Sequence, residues 1–240
     1  MSAEQKLAPF KLNSRESIRG IILVSVFVLG MPLLLQLISG DWRWWQAWVV
    51  LALYVSSFAI SRIIMARRHP DLLAERARFM AQPGTKSWDK TLVPWIGVLS
   101  LVQLVVPALD HRIGWTQAWP AAWQWIGLAL LIIGYSISSW APVVNRFFTG
   151  TVRIQQDRGQ YVVDTGPYRV VRHPGYAGAL LGYLGIPLFL GSSWGLLPAA
   201  ALIALMTTRT ALEDRMLHAE LPGYAEYAQR TRFRLLPGIW

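Results

Sequence analysis

The chain has 240 residues, 54% of them apolar by type and only 15% charged, with 13 Trp, 14 Pro and no Cys. Soluble domains carry about 25% charge, so this chain is short of the residues that cover a water-facing surface, and its apolar content excludes a disordered chain. The missing cysteine removes disulfides, thiolate nucleophiles, zinc–thiolate sites and iron–sulfur clusters together. The formal charge of +10 occurs with long apolar runs, which point to a membrane protein and not to a nucleic-acid partner.

The first run, Gly20 to Ser39, has 20 uncharged residues, about 30 Å of helix and the hydrocarbon thickness of a bilayer. It is longer than the roughly 7–15 apolar residues of a signal peptide, and Gln36-Leu37-Ile38-Ser39 offers no small-residue cleavage site, so a retained span is expected. Ala47 to Ala66 follows, interrupted only by Arg62, which can snorkel from a helix end. Leu92 to Ala108 and Ala121 to Val144 are the third and fourth spans. Tyr176 to Thr208 then runs 33 residues without a charge. Two helices turning at Gly191–Ser193, with Pro187 and Pro198 on either side, fit this stretch better than one overlong helix. Trp42, Trp44, Trp45, Trp48, Trp115, Trp119, Trp123 and Trp125 cluster at span ends, as interfacial anchors do.

The expected fold is therefore an all-α integral membrane protein: a multi-span bundle of four spans plus a C-terminal membrane hairpin, with a polar connector and a tail helix. Residues 1–144 form the four-span region and 145–240 the connector, hairpin and tail. Of the 23 Lys and Arg, 21 lie in the N-terminal segment, the Arg62–Lys90 loop, the Asn145–Gly175 loop and the tail from Arg209; Arg43 and Arg112 are the exceptions. The positive-inside rule puts both termini and both long loops in the cytoplasm, and only a hairpin keeps the Arg-rich tail on that side. A short amphipathic surface helix is expected to begin near Pro70, and the tail helix to stop at Pro222-Gly223.

The densest set of unusual residues is GPYRVVRHPGYAG, Gly166 to Gly178, where the polar connector meets the hairpin. Arg169, Arg172 and His173 supply donors, Tyr168 and Tyr176 aromatic faces with polar tips, and Gly175 and Gly178 room for close approach. A basic re-entry turn anchored by tyrosines would have the same composition. A second set follows the hairpin: Arg209, Glu213 and Asp214, with Arg209 and Glu213 four apart on one helix face. A surface ion pair would explain them too, but acids this near lipid are usually functional or paired. Asn145 is within reach of the same place. No GxGxxG after a strand, P-loop, HExxH or GxSxG occurs. The four histidines are scattered, so no metal site is expected, and the spans carry no mid-membrane charge of the kind an ion carrier needs.

GPYRVVRHPGYAG, the apolar hairpin, RTALEDRML, LPGYAEY and the ending RLLPGIW stand in the order found in the isoprenylcysteine carboxyl methyltransferase family, which the chain resembles from about Asn145 to Trp240. The resemblance implies a membrane enzyme that transfers a methyl group from S-adenosylmethionine without a Rossmann domain. It implies cofactor binding by His173, Pro174, Gly175 and Tyr176, continuing along the hairpin at Leu181, Ile186, Pro187, Leu188 and Phe189, and at Glu213. Arg209, one turn earlier, is tied by the resemblance to the substrate. Many relatives carry two glutamates where this chain has Glu213-Asp214, so the choice between these acids stays open. The implied partner is a lipid-like or lipidated acceptor in the membrane, with no nucleic acid and no metal.

The residue chemistry agrees with that expectation. Glu213 suits the α-ammonium of S-adenosylmethionine, and His173 or Arg172 suits its α-carboxylate. Tyr176 suits the sulfonium or adenine. A carboxylate acceptor, already ionised at neutral pH, needs alignment rather than a general base. Three other readings compete: N-methylation of an amine phospholipid headgroup, a non-catalytic transporter or lipid-binding scaffold, and a sterol-type reductase, whose C-terminal half is similar.

Overall fold

The computed structural model describes residues 30, 33–77 and 84–240. Most of the expected first span lies outside the described residues; 33–39, its last turns, are helical. The elements after it are α1 (Trp45–Arg68), α2 (Pro70–Ala77), α3 (Ser87–Ile113), α4 (Ala121–Val144), short 3-10 turns at Gln156–Arg158 and Gly166–Arg169, α5 (Pro174–Leu190), α6 (Leu196–Glu220) and α7 (Tyr224–Arg230). Among the described residues there is no strand. Helices α1, α3, α4 and α6 are long and apolar enough to cross a membrane, and α5 is shorter at 17 residues. The chain is thus a multi-span helical membrane protein.

The apolar stretch 176–208 does divide into two helices. Gly191 ends α5 in the left-handed region at φ 74°, where a side chain would be strained, and Ser192 follows. The Ser192 hydroxyl donates to Asp110 Oδ2 at 2.5 Å and accepts from the Gly195 amide at 3.0 Å. Asp110 also accepts from the Thr116 amide and hydroxyl, both at 2.7 Å, so the hairpin turn is stitched to the end of α3. Trp42, Trp45, Trp48, Trp115, Trp123, Trp125 and Trp194 are exposed at this end of the molecule, the arrangement of an interfacial belt. Trp44 departs from the expectation. It is 3% exposed and stacks on His111 with centroids 4.1 Å apart, so it is a core residue and not an anchor.

Helices α4 and α5 pack closely because glycines face each other across the seam. A Cβ on Gly178 would lie 2.5 Å from the Gly134 carbonyl oxygen, and one on Gly134 would lie 2.6 Å from that of Gly178. Small residues let backbones meet where lipid offers no hydrophobic drive for association. Leu131, Ile186 and Phe189 of these helices bury against Ala47 and Val50 of α1 and Leu104 and Ala108 of α3.

At the opposite end from the Trp belt, α2 and the 145–173 connector are joined by charge. Asp71 pairs with Arg158 (2.6 Å) and Arg146 (2.8 Å), and Arg153 pairs with Glu75 (2.6 Å) and Asp157 (2.7 Å). Burial of the Asp71 carboxyl raises its pKa, but hydrogen bonds from Arg158 and Arg146 outweigh this and hold it at about 2.

Two outcomes follow from this packing. Gly178→Val should overpack the α4–α5 seam, at about 1–3 kcal/mol or more, and lower the melting temperature in detergent. Gly97→Ala should leave it unchanged, because a Cβ there meets nothing within 4 Å. The Asp71 pairs, with a folded pKa below the ordinary carboxylate value, contribute fully above about pH 4 and lose that contribution as pH falls toward 2. Hydrogen exchange of residues 146–158, corrected for the intrinsic rate, should rise over that window in the native chain and be already high in Asp71→Asn.

Candidate active site

Pro174 begins α5 at the position where a proline costs no hydrogen bond, and this sets the preceding His173 at the helix mouth. His173 and Arg172 are tied from behind by the tail: their amides donate to the carbonyls of Arg234 and Phe233, each at 2.9 Å. Opposite them, the last turns of α6 carry Glu213 and Asp214. A cleft of about 770 Å³, counting its open mouth, lies between these groups and the connector. Its walls include Asn145, Phe147, Phe148, Tyr161, Arg172, His173, Pro174, Gly175, Tyr176, Glu213, Tyr224 and Tyr227.

The two neighbouring acids have separate environments. Asp214 is fully buried and accepts from Arg172 Nε (2.8 Å) and Nη2 (3.0 Å), Arg234 Nε (2.7 Å) and the Tyr224 hydroxyl (2.8 Å), with His173 Nε2 at 3.3 Å. Every lone pair of that carboxylate is engaged. Glu213 lines the cleft, forms no ion pair among the described residues, and accepts one bond, from the Tyr176 hydroxyl at 2.6 Å. It is the acid that remains available to a ligand.

Arg172 belongs with Asp214. Its Nη1 also donates to the carbonyls of Thr231 and Arg232, both at 2.8 Å, so little of its donor capacity points into the cleft. Burial opposes its charge, yet the bonds to Asp214 raise its pKa above the ordinary arginine value. The His173 and Tyr176 rings are parallel, 2° apart in plane, with centroids 5.8 Å apart. The Arg209 guanidinium lies 5.3 Å from the Tyr176 centroid, so an imidazole and a cation both brace this ring.

Arg209 shares a helix face with Glu213 as its spacing requires, but its partner is elsewhere. Nε and Nη2 donate to the Asp89 carboxylate at 2.7 and 3.2 Å, and Nη2 to the Gly150 carbonyl at 2.9 Å. Asp89, in the first turn of α3, is fully buried and also accepts from the Val152 amide at 2.7 Å. Arg209 therefore touches the cleft only through Tyr176 and the connector. Asp89 carried no signal in the sequence: its partner is 120 residues away, and an acid beside Lys90 at a span end reads as a loop charge.

His173, Pro174, Gly175, Tyr176 and Glu213 are brought together in the cleft. Leu181, Ile186, Pro187, Leu188 and Phe189 are not. Phe189 is 13 residues along α5 from Tyr176, about 20 Å of helix, and packs its ring against Trp45 near the Trp belt. Leu181 meets Gly134 in the α4–α5 seam, and the Leu188 carbonyl accepts from Trp119. Ile186 lines a second, apolar cavity of about 1390 Å³, counting its open side, between α1, α3, α4 and α5, whose walls also include Tyr54, Arg62, Arg76, Gln103, Tyr135 and Tyr183. Phe148 lines both spaces. Its ring sits where a side chain on Gly175 would be, 2.6 Å from that Cβ position, so the site needs glycine there to admit the partition.

The contrast between the two acids is testable by thermal unfolding in detergent. Asp214→Asn should cost about 3–5 kcal/mol, because it strips the counter-charge from the buried Arg172 and the half-buried Arg234, while Glu213→Gln should leave the melting temperature close to that of the native chain.

Residues 122–220 match the family model described as phospholipid methyltransferase. A probable protein-S-isoprenylcysteine O-methyltransferase of Oryza sativa subsp. indica is 37% identical over 68 residues, 28% of this chain and 36% of that protein. Protein-S-isoprenylcysteine O-methyltransferase B of Arabidopsis thaliana is 28% identical over 108 residues, 44% of this chain and 55% of its own length. The cobalt-zinc-cadmium resistance protein CzcN of Cupriavidus metallidurans is 36% identical over 114 residues, 45% of this chain and 49% of that protein. The chain thus spans between about a third and just over half of the length of these curated relatives. The family match starts inside α4, earlier than the Asn145 expected from the motifs, and stops before the tail helix. The stretch that carries the α4–α5 seam, His173 and Glu213, residues 122–220, is thus similar to the phospholipid methyltransferase family model, and parts of the chain are similar to isoprenylcysteine O-methyltransferases.

Proposed function

We propose that the protein is an S-adenosylmethionine-dependent methyltransferase that methylates the carboxylate of a lipid-like acceptor at the membrane surface. The observation that carries this reading is the meeting of a polar, aromatic-walled cleft and an apolar intramembrane cavity at one ring, Phe148. A transfer between a water-soluble donor and a lipid acceptor requires two such spaces side by side.

The donor set of the cleft fits S-adenosylmethionine, which would supply an electrophilic methyl group on a sulfonium. Glu213 offers a carboxylate, not spent on any cation among the described residues, for the donor's α-ammonium. Phe147, Phe148 and Tyr161 provide faces for a planar base. His173, its Nε2 shared between Asp214 and the Tyr224 hydroxyl, holds the Tyr176 ring in place from one side. Arg209 acts in this scheme as a positioning residue, fixing Tyr176 and the connector through Asp89 and Gly150.

The chemistry asks little more of the protein. An acceptor carboxylate oxygen forms the O–CH3 bond as the S–CH3 bond breaks, and the electron pair stays on sulfur. No proton moves, so no general base is needed, and alignment together with exclusion of water supplies the rate enhancement. The uneven distribution of Lys and Arg supports a cytoplasmic location for the His173 end, where the donor is made.

The test is transfer of a labelled methyl group from S-adenosylmethionine to membrane lipids by the purified protein. The label should be released as methanol by mild base, and turnover should stay flat above about pH 6, where a carboxylate is already ionised. Base-stable label with turnover rising toward the pKa of an amine would identify N-methylation instead. No transfer and no binding of S-adenosylhomocysteine would overturn the enzyme reading.

A further inference from the structure

The apolar cavity holds two cations that the donor cleft does not use. Arg62, near the end of α1, lies 4.7 Å from the Phe58 ring centroid. Arg76, on α2, donates to the Phe148 carbonyl at 3.1 Å and lies 5.4 Å from that ring. Both line the cavity at the end where Phe148 divides it from the cleft.

Neither arginine forms an ion pair among the described residues. Around them, Arg146, Arg153, Arg158, Arg172, Arg209, Arg230 and Arg234 each have a carboxylate. Among the described residues, no Asp or Glu lines the cavity. Two guanidinium groups beside an apolar wall, without a counter-charge, are a costly arrangement unless an anion joins them. Deeper in the same cavity Gln103 is 1% exposed, and its Oε1 has no hydrogen-bond partner among the described residues. Buried polar atoms are normally satisfied, so the described residues leave this space incomplete.

We propose that this cavity is the acceptor site, and that it takes a single-chain amphiphile whose carboxylate is held by Arg62 and Arg76 beside Phe148. The tail runs along α1 toward Val50 and Ile186. From Met65 to Val50 is 15 residues of α1, about 22 Å, which accommodates a chain of some sixteen carbons in extended form. The inference rests on the methyl-transfer reading for the fate of the head, but not for its binding. Methylation removes the charge that the two arginines hold, so the ester product binds more weakly than the acid and leaves. The arrangement assigns to Arg62 and Arg76 the acceptor contact that Arg209, committed to Asp89, is not free to make.

The probes are cis-parinaric acid and its methyl ester, polyene chains whose fluorescence reports binding, titrated into the full chain in nanodiscs. The native protein should bind the acid at least tenfold more tightly than the ester. Arg76→Gln and Arg62→Gln should each bring the acid toward the affinity of the ester and leave the ester unchanged. Gly97→Phe, at a position where a Cβ meets nothing within 4 Å, should fill the cavity and weaken both. Equal affinity for acid and ester in the native protein overturns the proposal. So do arginine variants that weaken both probes alike, or a Gly97→Phe that weakens neither. S-adenosylhomocysteine titrated into the same samples keeps the two claims apart. Its failure to bind, with the acid still selected by the arginines, would remove the methyltransferase reading and leave the amphiphile site standing.

Discussion

A single buried carboxylate organises the charged end of this protein. Asp214 receives Arg172 from the start of the hairpin, Arg234 from the tail, Tyr224 from α7 and His173 from the mouth of α5. Those four groups come from segments that would otherwise have no reason to meet at a membrane surface. Burying an acid is costly unless several donors converge on it, and here the cost is offset by drawing the tail back over the hairpin. His173 is thereby held against Tyr176, and Tyr176 against Glu213. The geometry of the cleft is a consequence of that convergence.

A second buried pair, Asp89 with Arg209, plays the complementary part on the other side. It ties α3 to α6 and clamps the connector through Val152 and Gly150. Between these two ionic anchors lie the cleft and, across Phe148, the apolar cavity. The tight α4–α5 seam makes this possible: the absence of side chains at Gly134, Gly175 and Gly178 lets the helices and the Phe148 ring approach closely enough for one residue to wall off two solvents.

Much of the fold was legible in the sequence because hydropathy and helix-breaking residues act locally. The turn at Gly191, the surface helix beginning at Pro70 and the break at Pro222-Gly223 all follow from backbone chemistry that depends on near neighbours. Trp44 was not legible, since a tryptophan among interfacial tryptophans carries no mark of its stacking on His111, 67 positions away. The site shows the same division. His173, Tyr176 and Glu213 stood out as polar groups beside apolar runs, and the fold brings them to one cleft. The pairings of Asp89 and Asp214, which decide which acid and which arginine remain available, depend on contacts between distant segments. The expected continuation of the pocket to Phe189 followed the order of the chain, whereas a helix carries successive residues steadily away from its mouth.

We propose that the methyl donor occupies the cleft between His173–Tyr176 and Glu213. An experimental structure of the full chain with S-adenosylhomocysteine measures this most directly. Density is expected there, with the ligand's amino group against the Glu213 carboxylate, the aromatic walls around its base, and the Asp214 contacts unchanged. Density elsewhere, or a ligand amino group bound by Asp214 with Arg172 displaced, would contradict it.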